Sequence, residues 1–212
     1  MNDVDTVLFD YWRSSSSYRV RIGLNLLGLT YETCQVDLVS GAQRAAENVA
    51  RNPQGLVPTL TIDDVELTQS LAILEYLNET RSAGWLPDDP VGRAKVRALS
   101  YAIAMEIHPV CNLRVARHAV SLGGTTIEEW MQHFIREGLT DFENMLAKGP
   151  GSLYCYGDAA TIADICLVPQ IYNAKRWAVE MDQFPRTVAI TLRLEELPAF
   201  KSAHPDRARP QS

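Results

Sequence analysis

Between Thr6 and Leu77 the hydrophobic period changes repeatedly, and the order of those changes restricts the fold more than any other feature of the sequence. Thr6 to Tyr11 is a short β-branched and aromatic run that reads as a strand. Ser17 then precedes Tyr18-Arg19-Val20-Arg21-Ile22-Gly23-Leu24-Asn25-Leu26-Leu27, apolar at helical spacing until Gly28 stops it. Tyr31 to Leu38 alternates as a strand, which puts Cys34 among core positions. Gln43 to Ala50 is alanine-rich and helical, and Asn52-Pro53-Gln54-Gly55 is turn chemistry. Val57 to Ile62 and Val65 to Leu67 are short strands joined at Asp63-Asp64, close enough for a hairpin, and Ser70 opens the amphipathic run Leu71 to Leu77. The expected order is βαβ followed by ββα.

Within about 80 residues, that order places parallel and antiparallel strands in one small sheet with helices packed on it, which is the thioredoxin-like layout. From Arg81 to Pro90 the pattern breaks into Gly, Pro, Asp and Trp, as in a linker. Only helical periods follow. One long helix is expected from Val91 to about Leu122, ended by Gly123-Gly124, and a second, capped by Thr125 or Thr126, from Ile127 to about Ala147. Thr161 and Asp164 have capping-box spacing ahead of a helix from Ile162 to about Glu180, and a last helix covers Pro185 to Leu194. The tail from His204, rich in Pro and Arg, reads as disordered. The fold class is therefore an α/β thioredoxin-like N-terminal domain over residues 1–81 plus an all-α C-terminal domain over residues 91–212, and 212 residues suffice for two cores.

Net charge bears on partners. At −6, with carboxylates spread along the chain, no concentrated Lys/Arg surface exists for nucleic acid, so an anionic small ligand would have to be held by a few local arginines. No apolar run approaches the roughly 18–20 residues that span a bilayer, and Met1 to Asp5 is acidic, unlike a leader; a cytoplasmic protein without a membrane partner is expected. Cys34, Cys111, Cys155 and Cys166 lie far apart, with no C-x-x-C and no His at zinc-ligand spacing. They read as buried thiols, with neither a disulfide framework nor a metal site.

Three stretches carry chemistry. Trp12-Arg13-Ser14-Ser15-Ser16-Ser17 joins the first strand to the first helix; capping explains one serine, and stabilisation of an anion or thiolate at the helix N-terminus is the alternative that uses the others. In Asn52-Pro53-Gln54-Gly55-Leu56-Val57-Pro58-Thr59, Pro58 belongs either at the trans start of an edge strand or in a cis peptide, which would turn the Val57 backbone toward an extended ligand. In Gln69-Ser70-Leu71, Ser70 stands at an N-cap, where it either caps the helix or, with Gln69, holds a carboxylate.

Together these stretches resemble the glutathione S-transferase superfamily, and the serine run followed by Arg19-Val20-Arg21-Ile22 resembles its zeta class, which includes maleyl-keto acid isomerases. The similarity continues through His108-Pro109-Val110-Cys111-Asn112-Leu113-Arg114 and from Ala163 to Trp177. The resemblance implies glutathione as cofactor, with Ser14 on its sulfur and Ser15 and Ser16 in the same pocket. It makes Pro58 a cis proline, Val57 the backbone partner of the cysteinyl unit, and Gln69 and Ser70 the grip on the γ-glutamyl end, with Gln43, His108 and Asn112 serving the rest of the tripeptide. Ser16 stands where the class often has cysteine, so any side activity of that cysteine is not carried over.

The implied reaction is cis to trans isomerisation of maleylacetoacetate or maleylpyruvate, by reversible addition of the glutathione thiolate, in aromatic degradation. Arg13, Arg114 and Arg176 are the candidate cations for a small dicarboxylate substrate and its developing enolate, each with an ordinary salt bridge as the competing role. His108 is assigned to binding and Asp164 to folding. The implied assembly is a homodimer. The alternative activity is glutathione transfer to, or dehalogenation of, small electrophiles such as 2-haloacids.

Overall fold

The computed structural model describes residues 5–149 and 151–210. These fall into two compact units, one made of the chain up to Ala83 together with the segment from Leu197, the other of Gly84–Glu196.

The first unit is built on a four-stranded sheet in the order β2-β1-β3-β4. Strand β1 (Val7–Asp10) runs parallel to β2 (Glu32–Gln35) and antiparallel to β3 (Thr59–Ile62), which pairs antiparallel with β4 (Val65–Thr68). Helix α1 (Ser15–Leu26) supplies the βαβ crossover, α2 (Ala46–Arg51) follows a 3₁₀ turn at Ala42–Arg44, and α3 (Ser70–Thr80) closes the ββα half. This is the thioredoxin-like layout. Leu8 and Asp10 are fully buried on one face of β1, while Phe9 on the other lies 4.0 Å beneath the Arg51 guanidinium. Cys34 is exposed, contrary to expectation, because β2 is an edge strand with all four residues open to solvent. The expected helix over 43–50 is likewise divided, since Ala45 has extended backbone between the 3₁₀ turn and α2.

From His204 to Pro210 the tail is ordered rather than disordered, residues 211–212 lying outside the described ones. Helices α10 (Pro198–Ala203) and α11 (Pro205–Ala208) return to α1, burying Phe200, Ala203 and Pro205. Polar side chains of α1 hold the tail backbone, with Asn25 Nδ2 donating to the Ala199 carbonyl at 3.2 Å and Arg21 Nε to that of Ala203 at 3.0 Å. The His204 ring meets Tyr18 edge-on at 6.2 Å. The helical unit consequently ends at Glu196 and not at the chain terminus.

It also begins earlier than the expected linker allows. Trp85 and Leu86 are buried, and the Trp85 carbonyl accepts the Ile162 N–H at 3.2 Å. Asp89 caps α4 (Pro90–Tyr101) through the Gly92 N–H at 2.7 Å, with Pro90 at the first helical position. The single helix expected over 91–122 is broken. Past α4 the chain widens into a π-helical stretch, Ala102–Ile107, and one short turn α5 (His108–Val110), then restarts at Asn112 as α6 (Leu113–Ser121). Pro109 has no N–H to extend the hydrogen-bond ladder, and Asn112 offers the next helix a cap. Close approach of Ile107 to α7 (Ile127–Ala147) needs Gly138, where an added Cβ would fall 2.3 Å from Ile107 Cγ1. Helix α8 (Ile162–Arg176) stops short of Glu180 because Trp177 is its C-cap and Ala178 turns left-handed, at φ 51°. Helix α9 (Pro185–Glu195) completes the unit. Among the described residues, no helix is long and apolar enough to cross a membrane.

Candidate active site

In the first unit the serine run starts one turn earlier than its periodicity suggests. The Ser14 N–H closes a turn onto the Tyr11 carbonyl at 2.8 Å, Ser14 is the N-cap, and the helix begins at Ser15. Ser14 Oγ accepts the Ser17 N–H at 3.3 Å, leaving its hydroxyl proton able to donate to an anion. The first turn of α1 contains no acidic residue, so its positive dipole end is not neutralised from within. Capping and anion binding, posed as alternatives by the sequence, are compatible at this one hydroxyl.

Below the turn sits an anchor that sequence reading missed. Arg21, 3% exposed, donates from Nη1 to both carboxylate oxygens of the fully buried Asp10 at 2.8 and 2.7 Å, and from Nη2 to the Trp12 carbonyl at 2.9 Å. Breaking a buried pair of this kind costs about 3–5 kcal/mol. A charged residue at a buried helical position was the available signal. Arg13, at the tip of the turn, places its guanidinium 5.1 Å from the Trp12 ring centroid and Nη2 3.5 Å from the Tyr11 hydroxyl.

The Val57–Pro58 peptide is cis, which decides between the two roles open to Pro58. Among the described residues, the N–H and C=O of half-buried Val57 carry no hydrogen bond, although β3 begins only two residues later. That unpaired backbone fits an extended peptide ligand. Gln43, in the 3₁₀ turn, gives its carbonyl to Asn48 Nδ2 at 3.0 Å, while its own Oε1 is buried with no hydrogen-bond partner. An orphaned acceptor of this kind fits an N–H donor from the same ligand.

At α3 the N-cap is Gln69, with φ 67°, and Ser70 is the first helical residue, a shift of one from the expected cap. Ser70 Oγ accepts from Arg19 Nη1 at 3.3 Å, and Gln69 Nε2 donates to Gln54 Oε1 at 2.6 Å. This helix start, too, has no acid in its first turn, and the buried Arg19 adds positive charge beside it. Neither Arg19, named only within the motif that carries the resemblance, nor Gln54 was given a role in the site from the sequence.

Of the remaining candidates, all in the helical unit, Asn112 and Arg114 lie together at the start of α6. There Asn112 Oδ1 caps the Arg114 N–H at 2.9 Å, which leaves its amide donors and a second lone pair for a ligand. Arg114 is exposed, and His108 opens α5. Arg176 is exposed at the C-terminal end of α8, 3.4 Å from Asn173 Oδ1 and 5.6 Å from the Trp177 ring centroid. Two thiols of this unit, Cys111 and Cys155, are poor nucleophiles. Burial pushes Cys111 up to about 12 and Cys155 well above its usual value, so both stay protonated at neutral pH. Among the described residues no group of His, Cys, Asp or Glu side chains is arranged to hold a metal ion.

A model of the glutathione S-transferase N-terminal domain matches residues 5–79. The maleylacetoacetate isomerase of Rhizobium meliloti (strain 1021) is 57% identical over 210 residues, which is 97% of this chain and 99% of that protein. The holo structure of a maleyl pyruvate isomerase, described as a bacterial glutathione S-transferase of the zeta class, superposes with a TM-score of 0.92 at 37% identity, over 97% of this chain and 99% of that one. The chain belongs to the zeta class of glutathione S-transferases. A second neighbour, the maleylacetoacetate isomerase of Anaeromyxobacter dehalogenans 2CP-1, matches with a TM-score of 0.86 at 39% identity, over 97% of this chain and 98% of that one. It holds dicarboxyethyl glutathione and citrate in its active site.

Proposed function

We propose that this zeta-class chain is a glutathione-dependent isomerase that converts a maleyl-type keto dicarboxylate, maleylacetoacetate or maleylpyruvate, into its fumaryl isomer during aromatic degradation. The observation that carries the reading is the open N-terminus of α1, where Ser14 caps the helix and still keeps a proton to donate.

Glutathione, when bound, supplies a thiolate whose reversible addition turns the conjugated double bond into a rotatable single bond. The chain's own contribution is to hold that tripeptide and to stabilise charge. Ser14 and the α1 dipole favour the thiolate over the thiol, with Ser15 and Ser16 lining the same turn. Val57 offers its N–H and C=O to the cysteinyl backbone, with Pro58 cis behind it. Ser70, Gln69 and the Arg19 charge serve the γ-glutamyl end, and Gln43 accepts from a ligand N–H. His108 and Asn112 are assigned to the same ligand, whereas Arg13, Arg114 and Arg176 bind the substrate carboxylates and the enolate that develops on addition.

The protein is assigned to the cytoplasm, where thiols persist, in keeping with four cysteines that form no disulfide with one another. It is assigned a homodimeric state, for which the exposed Tyr101 and Met105 offer an apolar surface. Proton NMR of a maleyl-keto acid with catalytic glutathione tests the activity. Appearance of the trans isomer with glutathione unconsumed is expected; stoichiometric loss of glutathione would overturn isomerisation in favour of transfer to electrophiles.

A further inference from the structure

The C-terminal tail brings a second cation to the serine turn. Beyond α11, the Arg209 guanidinium lies 5.2 Å from the Trp12 ring centroid, and that of Arg13 lies 5.1 Å from the same centroid. Trp12 and Arg13 occupy the tip of the Tyr11–Ser14 turn, so both charges stand on a ring that belongs to the turn carrying the hydroxyl that caps α1. We propose that Arg13 and Arg209 form a two-guanidinium clamp on Trp12 that selects doubly anionic ligands, with Arg209 as a specificity-determining residue. The inference rests on the reading above that the substrate is a dicarboxylate.

Three observations support the clamp. Arg209 is held in place: Asn25 and Arg21 bind the tail backbone at Ala199 and Ala203, and His204 packs on Tyr18. Arg21 binds the Trp12 carbonyl as well, so one buried side chain fixes both the tail and the turn. Second, the arginines of this unit divide by partner. Arg21, Arg51 and Arg81 each pair with a carboxylate, whereas among the described residues none lies within ion-pair distance of Arg13, Arg44, Arg207 or Arg209, and of these four Arg13 and Arg209 lie on the Trp12 ring. Third, two cations on one indole repel each other. The ring face offsets part of that cost, and an anion of charge −2 offsets more than one of charge −1. Planar guanidinium forks suit carboxylates, so a small diacid is the ligand that two of them fit.

The experiment titrates malonate and acetate by calorimetry, at low ionic strength, into the full chain, R209A and R209K, and measures steady-state kinetics in parallel. R209A should weaken malonate about tenfold while changing acetate about threefold or less, with R209K between wild type and R209A. In turnover, R209A should raise the KM for the maleyl substrate and leave kcat and the glutathione KM unchanged. Equal malonate affinity in wild type and R209A, including no detectable binding to either, overturns the clamp. The malonate difference between wild type and R209A, found together with a wild-type chain that does not isomerise the substrate, upholds the clamp and overturns the proposed activity instead.

Discussion

Helices α1 and α8 both begin at a hydroxyl residue with extended backbone, yet their first turns are finished in opposite ways. In α8 the third residue after the cap is Asp164, fully buried, whose carboxylate accepts the Thr161 N–H and hydroxyl at 2.8 Å each and the Cys155 N–H at 2.9 Å. Burial raises the Asp164 pKa, and the hydrogen bonds from Cys155 and Thr161 work against that rise. Helix α7 is closed by its own Glu129 in a capping box with Thr126. In α1 the corresponding position is Ser17, and no acid stands in the turn. A hydroxyl cap alone therefore does not mark a binding site in this chain. The missing carboxylate is what sets α1 apart from α7 and α8, because the positive end of the helix is not neutralised from within its own turn.

The strongest way to break this contrast is at the closed end. Asp164→Ala strips the acceptor from three donors, two of them buried N–H groups, at about 1–3 kcal/mol each. Urea unfolding should show a loss of about 3–5 kcal/mol, with the glutathione KM of the folded protein unchanged. A loss under about 0.5 kcal/mol, the size of an ordinary surface change, would remove Asp164 from the structural role assigned to it.

At the open end the effect should move from stability to turnover. Ser14→Ala forfeits one cap bond, about 1 kcal/mol, but should lower kcat by about 10²- to 10³-fold if the hydroxyl is the donor to sulfur. The thiol pKa of bound glutathione, read from thiolate absorbance against pH, should rise in the same variant. Equal turnover in wild type and Ser14→Ala would transfer the role to Ser15 or to the backbone amides.

How legible each end was in the sequence follows from how local its interactions are. Thr161 with Asp164, and Thr126 with Glu129, are three residues apart, so their spacing is visible in the sequence. The order of elements along the chain was legible for the same reason, since each period change falls within a few residues. The Arg21 anchor joins Asp10, Trp12 and Ala203, and its last partner is 182 positions away, one residue ahead of the tail whose Pro and Arg content suggested disorder. Arg19 meets Ser70 across 51 positions. Composition carries no trace of such pairings, because a buried arginine and an exposed one are the same letter. The break in the helix expected over 91–122 was missed because apolar spacing continues across Pro109 and Asn112, and the cap competes with the ladder only where the chain is already bent.

Helix α9 tests whether a helix can be closed from outside. Its N-cap, Phe184, has no side-chain cap, but Glu143 of α7 accepts the Arg186 and Thr187 N–H groups at 2.9 Å each and the Thr187 hydroxyl at 2.7 Å. Burial alone would raise the Glu143 carboxyl. The hydrogen bonds from Thr187 and Arg186 outweigh that burial and hold its pKa below the ordinary value. A lowered pKa means that the ionised form is favoured by folding. Its contribution is therefore present above the unfolded-state value and is lost as pH falls through the folded one. Glu143→Gln keeps the shape but loses the charge and turns an amide donor toward one of the donors it should accept. At pH 7 it should cost about 1–2 kcal/mol, and the gap from wild type should shrink as pH drops below the ordinary glutamate range, where the wild-type carboxyl is protonated as well. Thermal unfolding of both proteins across the acid range measures that gap. A gap that stays constant from neutral to acid pH would mean that charge at Glu143 does not close α9, and α9 would then belong with α1 among the open ends.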